Sequence, residues 1–418
     1  MELVEELNRT VKLALDDGRV ASLAEAQALF EGFRLRIVVG SGFAKSLAAE
    51  AAVLTLVTAA PKTFRGGVEV VGATDERCTL AWFANRSLAE VAHGAGARVG
   101  TSPSARASHV ATIRVGDSVS TDGPEFSVSL QLSRVGFVIS PDEPAYSERA
   151  APVEVGVAAA GAALSEAFAY VYRRSAVAGE RRLSFRMPGL AAGNRTDERA
   201  WIVGLGHLGQ AFLWTLALAR AGDACAVKLT DFDSVSASSL STCLLVRSTD
   251  ISKPKVQVVG DRLNELGFIV ELDPSRLTLD GAVPTSDAGV AIVAVDNIGL
   301  RRSLDRLKGV RIFEAGIGSG TDGFMRVQLH AFPGQRLARD VWAGEDPHAS
   351  RVVDISAPAY QALLKQTGDE CGTTLLAGRS IATPFVGAFA GALLFGLAAS
   401  DRERHRAQSA WAFDLSYL

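Results

Sequence analysis

Cysteine, histidine and methionine are scarce in this 418-residue chain, at four, six and three copies. The cysteines (Cys78, Cys225, Cys243 and Cys371) form no C-x-x-C pair, and no H-x-x-x-H occurs, so a tetrahedral zinc site or another transition-metal centre has little to be built from. Sparse, unpaired cysteines fit a reducing, cytoplasmic setting. A surplus of one charge is also missing. The net charge is −3, without the basic patch that nucleic-acid binding leaves and without a charge run long enough to act as a tail, so no nucleic-acid partner is expected. The longest apolar stretch, Phe385 to Ala399, has 15 residues against the ~20 needed to span a bilayer; it reads as a buried helix, with no membrane partner. The opening MELVEELNRTVKLALDDG lacks the basic end and apolar core of a signal peptide and reads as the start of an amphipathic helix. What is present is 48% hydrophobic and 21% charged residues, enough for a large core. The length favours two domains over one.

Two halves meet near Pro188 to Arg199, where PGLAAGNRTDER gathers turn and breaker residues. We place domains at 1–190 and 191–418. The second half alternates strands (Ala200–Val203, Ala226–Thr230, Phe268–Leu272, Gly289–Val295) with helical stretches (Gln210–Ala221, Lys255–Leu266). This predicts a doubly wound α/β sheet, its apolar strands buried on both faces. Strands over Arg311–Ala315 and Met325–Phe332, a helix over Ala382–Ala399 and a strand over Ser409–Leu415 complete it. The first half reads as a blurred copy: strands at Leu35–Val39, Gly67–Val71, His109–Val115, within Phe126–Ile139 and at Arg182–Arg186, with helices over Ala44–Leu56 and Pro152–Arg173. Pro152-Val-Glu-Val-Gly156 and Pro384-Phe-Val-Gly387 each open a small-residue helix. The expected fold class is α/β, two Rossmann-like doubly wound halves. Internal duplication accounts for the repeat; two unrelated α/β domains are the alternative.

The chemistry gathers in the second half. Gly204, Gly206 and Gly209 form G-x-G-x-x-G between a strand and a helix, where glycines permit a tight turn and the helix N–H groups favour a phosphate. Alone, the motif fits dinucleotides and ATP equally. The next strand ends in Asp231-Phe-Asp233, with Asp231 suited to accept from a ribose hydroxyl. Lys255, in Ser-Lys-Pro-Lys, opens the next helix, where it could neutralise triphosphate charge. Asp296-Asn297 ends a further strand at the same edge, and an aspartate facing a triphosphate is a natural Mg2+ ligand.

VGLGHLG, LTDFDSVSASSLST, DISKPK and AVDN together resemble the ThiF/MoeB/ubiquitin-activating enzyme family, strongly over Trp201 to Asn297 and more weakly to the Ala382–Gly387 segment. The resemblance implies an adenylyltransferase that uses ATP and Mg2+. It implies Gly204, Gly206, Gly209, Asp231, Asp233, Ser239 and Lys255 at the nucleotide, with Lys255 and Asp296 serving catalysis and Asp296 the metal. The substrate would be the C-terminal glycine of a ubiquitin-like protein. The chain departs from the family's S-N-L-x-R-Q, reading Ser238-Ser239-Leu240-Ser241-Thr242-Cys243, so the usual asparagine is Ser239 and the usual arginine is Thr242. Arg247, Arg301 and Arg302 are candidate replacements for that arginine, and Lys253 adds a second cation nearby. Relatives work as dimers or fused pairs, so the first half, with Gly40-Ser-Gly42 but no D-F-D, matching lysine or D-N, reads as a degenerate partner half. Arg9 is its candidate for the arginine that a partner lends; a homodimer is the other arrangement the family implies.

Thioester-forming relatives also place a cysteine ahead of the last helix. Cys371 takes that position in Gly-Asp-Glu-Cys-Gly, with a conjugating enzyme as the acceptor, although the adjacent Asp369 and Glu370 disfavour a thiolate; the alternative is an ordinary loop cysteine. Cys243 reads as packing. Peptide adenylation in natural-product biosynthesis would use the same nucleotide residues. Thr242 motivates a third reading, a non-catalytic scaffold, and a nicotinamide dehydrogenase leaves Lys255 unexplained.

Overall fold

The computed structural model describes residues 7–100, 110–117, 126–173, 175, 177–190, 199–279, 288–344, 353–400 and 408–418. The linker residues 191–198 and the first six residues of the expected N-terminal helix lie outside this set; among those described, a short helix, Lys12–Asp16, follows them.

The first sheet contains β1 (Arg34–Val39), β2 (Gly67–Gly72), β3 (Arg98–Val99), β4 (Val110–Val115), β5 (Phe126–Leu132), β6 (Gly136–Ser140), β7 (Tyr146–Ser147) and β8 (Leu183–Arg186). Its order is β3-β2-β1-β4-β5-β6-β8, with β7 beside β5. The second sheet contains β9 (Ala200–Val203), β10 (Ala226–Thr230), β11 (Ile269–Asp273), β12 (Val290–Val293), β13 (Arg311–Ile317), β14 (Arg326–Phe332) and β15 (Ala410–Asp414), in the order β11-β10-β9-β12-β13-β14-β15. The main path of each sheet runs parallel through five strands and ends in two antiparallel steps. The repeat visible in the sequence is thus a repeat of sheet topology. The central strands β9 and β12 are buried along their whole length, which explains why they read as unbroken apolar runs.

Between the sheets lies a layer of small-residue helices. Helix α1 (Leu47–Thr63) follows β1 and its turn, and α2 (Val153–Val171) precedes β8. In the second half α3 (His207–Arg220) follows β9, α4 (Lys255–Glu265) follows β10, and α5 (Pro358–Thr367), α6 (Glu370–Gly378) and α7 (Pro384–Ala398) precede β15. The packing runs α1 on α2, α2 on α7 and α7 on α3, so α2 and α7 join the halves. Helix α7 is apolar on all sides, and α2 is nearly so, its polar Glu154, Ser165 and Glu166 being buried with the rest. Helix α2 is long and apolar enough to cross a membrane, but 89% of its apolar window is buried inside the protein. Glycine allows the backbones to approach: a Cβ at Gly156 would sit 1.9 Å from the Ala48 carbonyl oxygen, and one at Gly161 2.7 Å from that of Phe385. At the matching place in the second half, a Cβ at Gly387 would lie 2.3 Å from His207 Nε2. The two proline-to-glycine openings noted in the sequence therefore do the same thing, seating each helix on the start of its own glycine-turn helix.

Strand and helix positions otherwise follow the sequence pattern, with local departures. The stretch from Phe126 divides into β5 and β6, since Ser133 Oγ donates to the Gly136 carbonyl and closes a turn (2.9 Å). Helix α1 runs on past Leu56, through Pro61, to Thr63. Helices Leu23–Glu31, Leu88–Gly94, α5 and α6 were not expected.

Candidate active site

The glycine turn is built for more than chain reversal. Gly204 has φ +89°, a conformation that side chains resist, and a Cβ there would lie 2.6 Å from the Ala294 carbonyl oxygen after β12. A Cβ on Gly209 would lie 1.9 Å from the Gly204 carbonyl oxygen. Those two glycines are demanded by packing. Gly206 is not: its φ is −79° and a Cβ would meet nothing within 4 Å. Buried Gln210 fixes the turn, donating to the Leu205 carbonyl at 2.8 Å and accepting from the Leu245 N–H at 3.0 Å.

Asp231 directly follows β10 beside this turn and is 8% exposed. One carboxylate oxygen accepts from the Leu205 N–H at 2.5 Å and the other from the Asp233 N–H at 2.7 Å. Burial raises its pKa above the ordinary carboxylate range, opposed by the Lys255 charge and these two donors. Lys255 is brought across because the loop after Asp233 pairs with the segment before α4: Val235 and Ser252 each donate to the other strand of this bridge (2.8 Å each), and the Lys255 N–H donates to the Asp233 carbonyl at 2.9 Å. Its ammonium then donates to Asp233 Oδ2 at 2.9 Å. Burial by itself would lower the Lys255 pKa; the charges of Asp231 and Asp233 outweigh it and hold the group above its usual value.

Asp296 follows β12, on the strand next to β9, so it shares the edge that carries Gly204. It is exposed and makes no side-chain hydrogen bond or ion pair among the described residues. Asn297 beside it caps the following helical turn, accepting from the Leu300 N–H at 2.8 Å. Ser239 is buried in a 3-10 turn, Ala237–Ser241, its hydroxyl accepting from the Ser236 N–H at 3.2 Å. The neighbouring Ser238 accepts from Arg379, at the end of α6, at 2.8 Å. Cys371 is exposed in the first turn of α6, which Asp369 caps by accepting from the Gly372 N–H at 2.8 Å; the expected loop is a helix because of that cap.

The arginine replacements read from the sequence are differently disposed. Arg301 is occupied by the fully buried Glu314 (3.2 Å) and by the Val295 and Ala315 carbonyls, and Arg302 by the Trp342 and Ala343 carbonyls. Arg247 is exposed, and Lys253 lies 3.7 Å from Asp250. Two cations come instead from the first half. The Arg9 N–H donates to Ser241 Oγ at 3.1 Å, and its charge reaches both Cys243 and His207. Lys62, at the end of α1, donates to the Leu240 carbonyl at 2.7 Å. Lys62 was missed in the sequence; its only signal there is a lysine in the last turn of a helix whose one other charge is Glu50. His207 opens α3 with Nε2 2.7 Å from the Thr383 carbonyl oxygen, and burial lowers its pKa to about 4, so the ring is neutral near pH 7.

The corresponding turn of the first half is closed by its own chain. The Gly42 N–H donates to both carboxylate oxygens of Glu76, at 2.8 and 3.0 Å. Among the described residues no cluster of three or more metal-ligating side chains occurs.

A family described as BilD C-terminal domain matches residues 196–403, and one described as BilD N-terminal domain matches residues 34–187. The bacterial E1-like protein BilD of Collimonas sp. (strain OK412) is 33% identical over 402 residues, covering 93% of this chain and 86% of that protein. Molybdopterin-synthase adenylyltransferase of Escherichia coli (strain K12) is 32% identical over 112 residues, 26% of this chain and 44% of its own length. Among solved structures, E. coli MccB with ATP is similar at a TM-score of 0.32 and 12% identity, over 53% of this chain and 65% of that one. The class is that of the ThiF/MoeB and E1-like adenylyltransferases, as the sequence motifs implied. Within it, the chain belongs to the family of the bacterial E1-like protein BilD.

Proposed function

We propose that the second half binds ATP and adenylates the C-terminal glycine of a ubiquitin-like protein, with the first half as its degenerate partner. The observation that carries this reading is the contrast at Gly206. The protein's own packing explains Gly204 and Gly209, whereas open space stands where a Gly206 Cβ would lie, beside the first N–H groups of α3. A phosphate approaching the backbone there gives Gly206 its reason. In the first half, Glu76 already fills the Gly42 donor, which supports a single working site.

In this reading Asp231 accepts from a ribose hydroxyl through lone pairs left over from its two N–H bonds. Lys255 and the N–H groups of the turn hold the phosphate chain. Asp296, an exposed hard-oxygen donor without a protein partner among the described residues, fits a Mg2+ ion, which prefers one or two carboxylates together with phosphate oxygens. When bound, that ion would neutralise charge on the phosphates. The glycine carboxylate attacks the α-phosphorus, forming the acyl-adenylate P–O bond as the α–β bridge breaks and pyrophosphate leaves. The protein's part is alignment and fixed positive charge. Cys371 is the exposed member of the four cysteines, and its thiolate would take the acyl group from the adenylate, releasing AMP.

Isotope exchange between pyrophosphate and ATP tests the proposal. Exchange is expected only when a ubiquitin-like protein with a free C-terminal glycine is present, and Cys371→Ser should keep exchange while losing any reductant-sensitive modifier adduct. Failure of exchange with every modifier encoded beside the gene would remove the assignment. Exchange with a short peptide instead would move the chain to peptide adenylation.

A further inference from the structure

The family's phosphate-facing arginine is absent at Thr242, which is 5% exposed and whose hydroxyl has its one hydrogen bond, among the described residues, with the neighbouring thiol. Three cations nevertheless converge on this short segment. The charges of Lys255, Lys62 and Arg9 all act on Cys243, whose pKa burial raises and these three lower. Lys255 belongs to the second half, and the other two reach over from the first. Lys62 differs from its companions in one respect. Lys255 is paired with Asp233, but Lys62 has no carboxylate within ion-pair distance among the described residues, and its ammonium's one hydrogen bond there is to the Leu240 carbonyl. The charged or titratable groups that act on it are the Cys243 thiol and Arg262, the latter already paired with Asp250. Its surface is partly accessible, yet protein surrounds the ammonium closely enough that desolvation, together with Arg262, brings its pKa down to about 8. An enclosed cation with two free N–H donors and no counter-charge is costly unless an anion arrives.

We propose that Lys62, carried across from the first half by α1, binds the phosphate chain of ATP in place of the arginine missing at Thr242. The inference rests on the ATP reading above. It makes the nucleotide site composite: the second half supplies the turn, Asp231 and Lys255, and the first half supplies a cation that the second no longer encodes. The departure from the family pattern is then compensation rather than loss of function.

The test is calorimetric titration of the full chain with a non-hydrolysable ATP analogue, at a pH of about 8, in two buffers of different ionisation enthalpy. Wild type should take up a fraction of a proton from buffer on binding, because phosphate returns a lysine half-deprotonated at that pH to its charged form. Lys62→Met should abolish the uptake and weaken the analogue ~10-fold or more, while adenosine affinity changes less than ~2-fold. Lys62→Arg, permanently charged, should bind within ~3-fold of wild type with no uptake. The inference is overturned if wild type binds without proton uptake, a result that needs no variant to fold, or if Lys62→Met weakens adenosine and the analogue equally. If wild type binds neither nucleotide, the ATP reading fails as well; if it binds normally and only the Lys62 effects are missing, that reading stands and this one falls.

Discussion

At the scale of the residue, glycines of one motif divide into those the fold requires and one it does not. A methyl group at Gly209 would stand 1.9 Å from a carbonyl oxygen, while at Gly206 it would stand in open space. Gly209→Ala should therefore destabilise the protein by about 1–3 kcal/mol through overpacking, and Gly206→Ala should change stability by no more than ~0.5 kcal/mol. The order reverses for ligand: Gly206→Ala should weaken ATP ~10-fold or more, since its methyl group takes up the approach to the turn. Urea melts and nucleotide titration of the two variants check both halves of the statement; equal ATP affinity for Gly206→Ala and wild type would deprive the nucleotide site of its main support. Asp231, Asp233 and Lys255 were legible in the sequence because strand ends and helix starts in a doubly wound sheet gather at one edge. Lys62 was not legible. It lies 193 positions before Lys255, counting from 62 to 255, and is brought there by packing between halves rather than by any local motif. The same holds for the substitute arginine: Arg301 is near in sequence to Asp296, yet the buried Glu314 claims it.

At the scale of the element, strands were easier to read than helices. The parallel strands are short apolar runs between turn residues, and β9 and β10 match their expected bounds. Helices α5 and α6 escaped notice because only a few of their positions face the core: Ala359, Tyr360 and Leu376 are buried, while Leu375 is 51% exposed. Helix α7 was legible as buried but not as a joint. Gly391 shows what that role demands, since a Cβ there would lie 2.4 Å from the Ala211 backbone carbon of α3, and neither backbone can yield without moving its helix. Gly391→Ala should lower stability by about 1–3 kcal/mol, and Gly391→Val by more, because a branched side chain needs the two helices to separate. Chemical denaturation of both variants measures this. Gly309, where φ is +78° and a Cβ meets nothing, separates the two causes: Gly309→Ala reports backbone strain without packing. A Gly391→Val protein as stable as wild type would mean that α3 and α7 are not packed as described.

At the scale of the whole molecule, the halves share one core rather than touching at a boundary. Apolar side chains of both fall in a single buried cluster that runs from Leu7 to Leu415. Polar contacts cross it at several depths: Trp214 Nε1 donates to Thr55 Oγ1 at 2.9 Å, Thr10 Oγ1 donates to the Ala382 carbonyl at 3.2 Å, the Tyr360 hydroxyl donates to Asp16, and Arg181 reaches the Ser416 carbonyl at 3.0 Å. Two doubly wound sheets that had merely been linked would each keep a polar outer face on their helices. Here α7 is apolar all round and α2 is apolar but for Glu154, Ser165 and Glu166, and both are buried along almost their whole length, so separating them would expose a large apolar face to water. Residues 199–418 produced alone should therefore aggregate or bind a hydrophobic dye strongly, and should not bind ATP although they keep the glycine turn, Asp231, Lys255 and Asp296. The intact chain should lose near-ultraviolet ellipticity, to which Trp82 of the first half and Trp214 of the second both contribute, and far-ultraviolet ellipticity at one denaturant midpoint. A soluble second half that bound ATP as the full chain does would show that the first half is dispensable to the site. Two separated unfolding transitions would show that the shared core does not couple the halves.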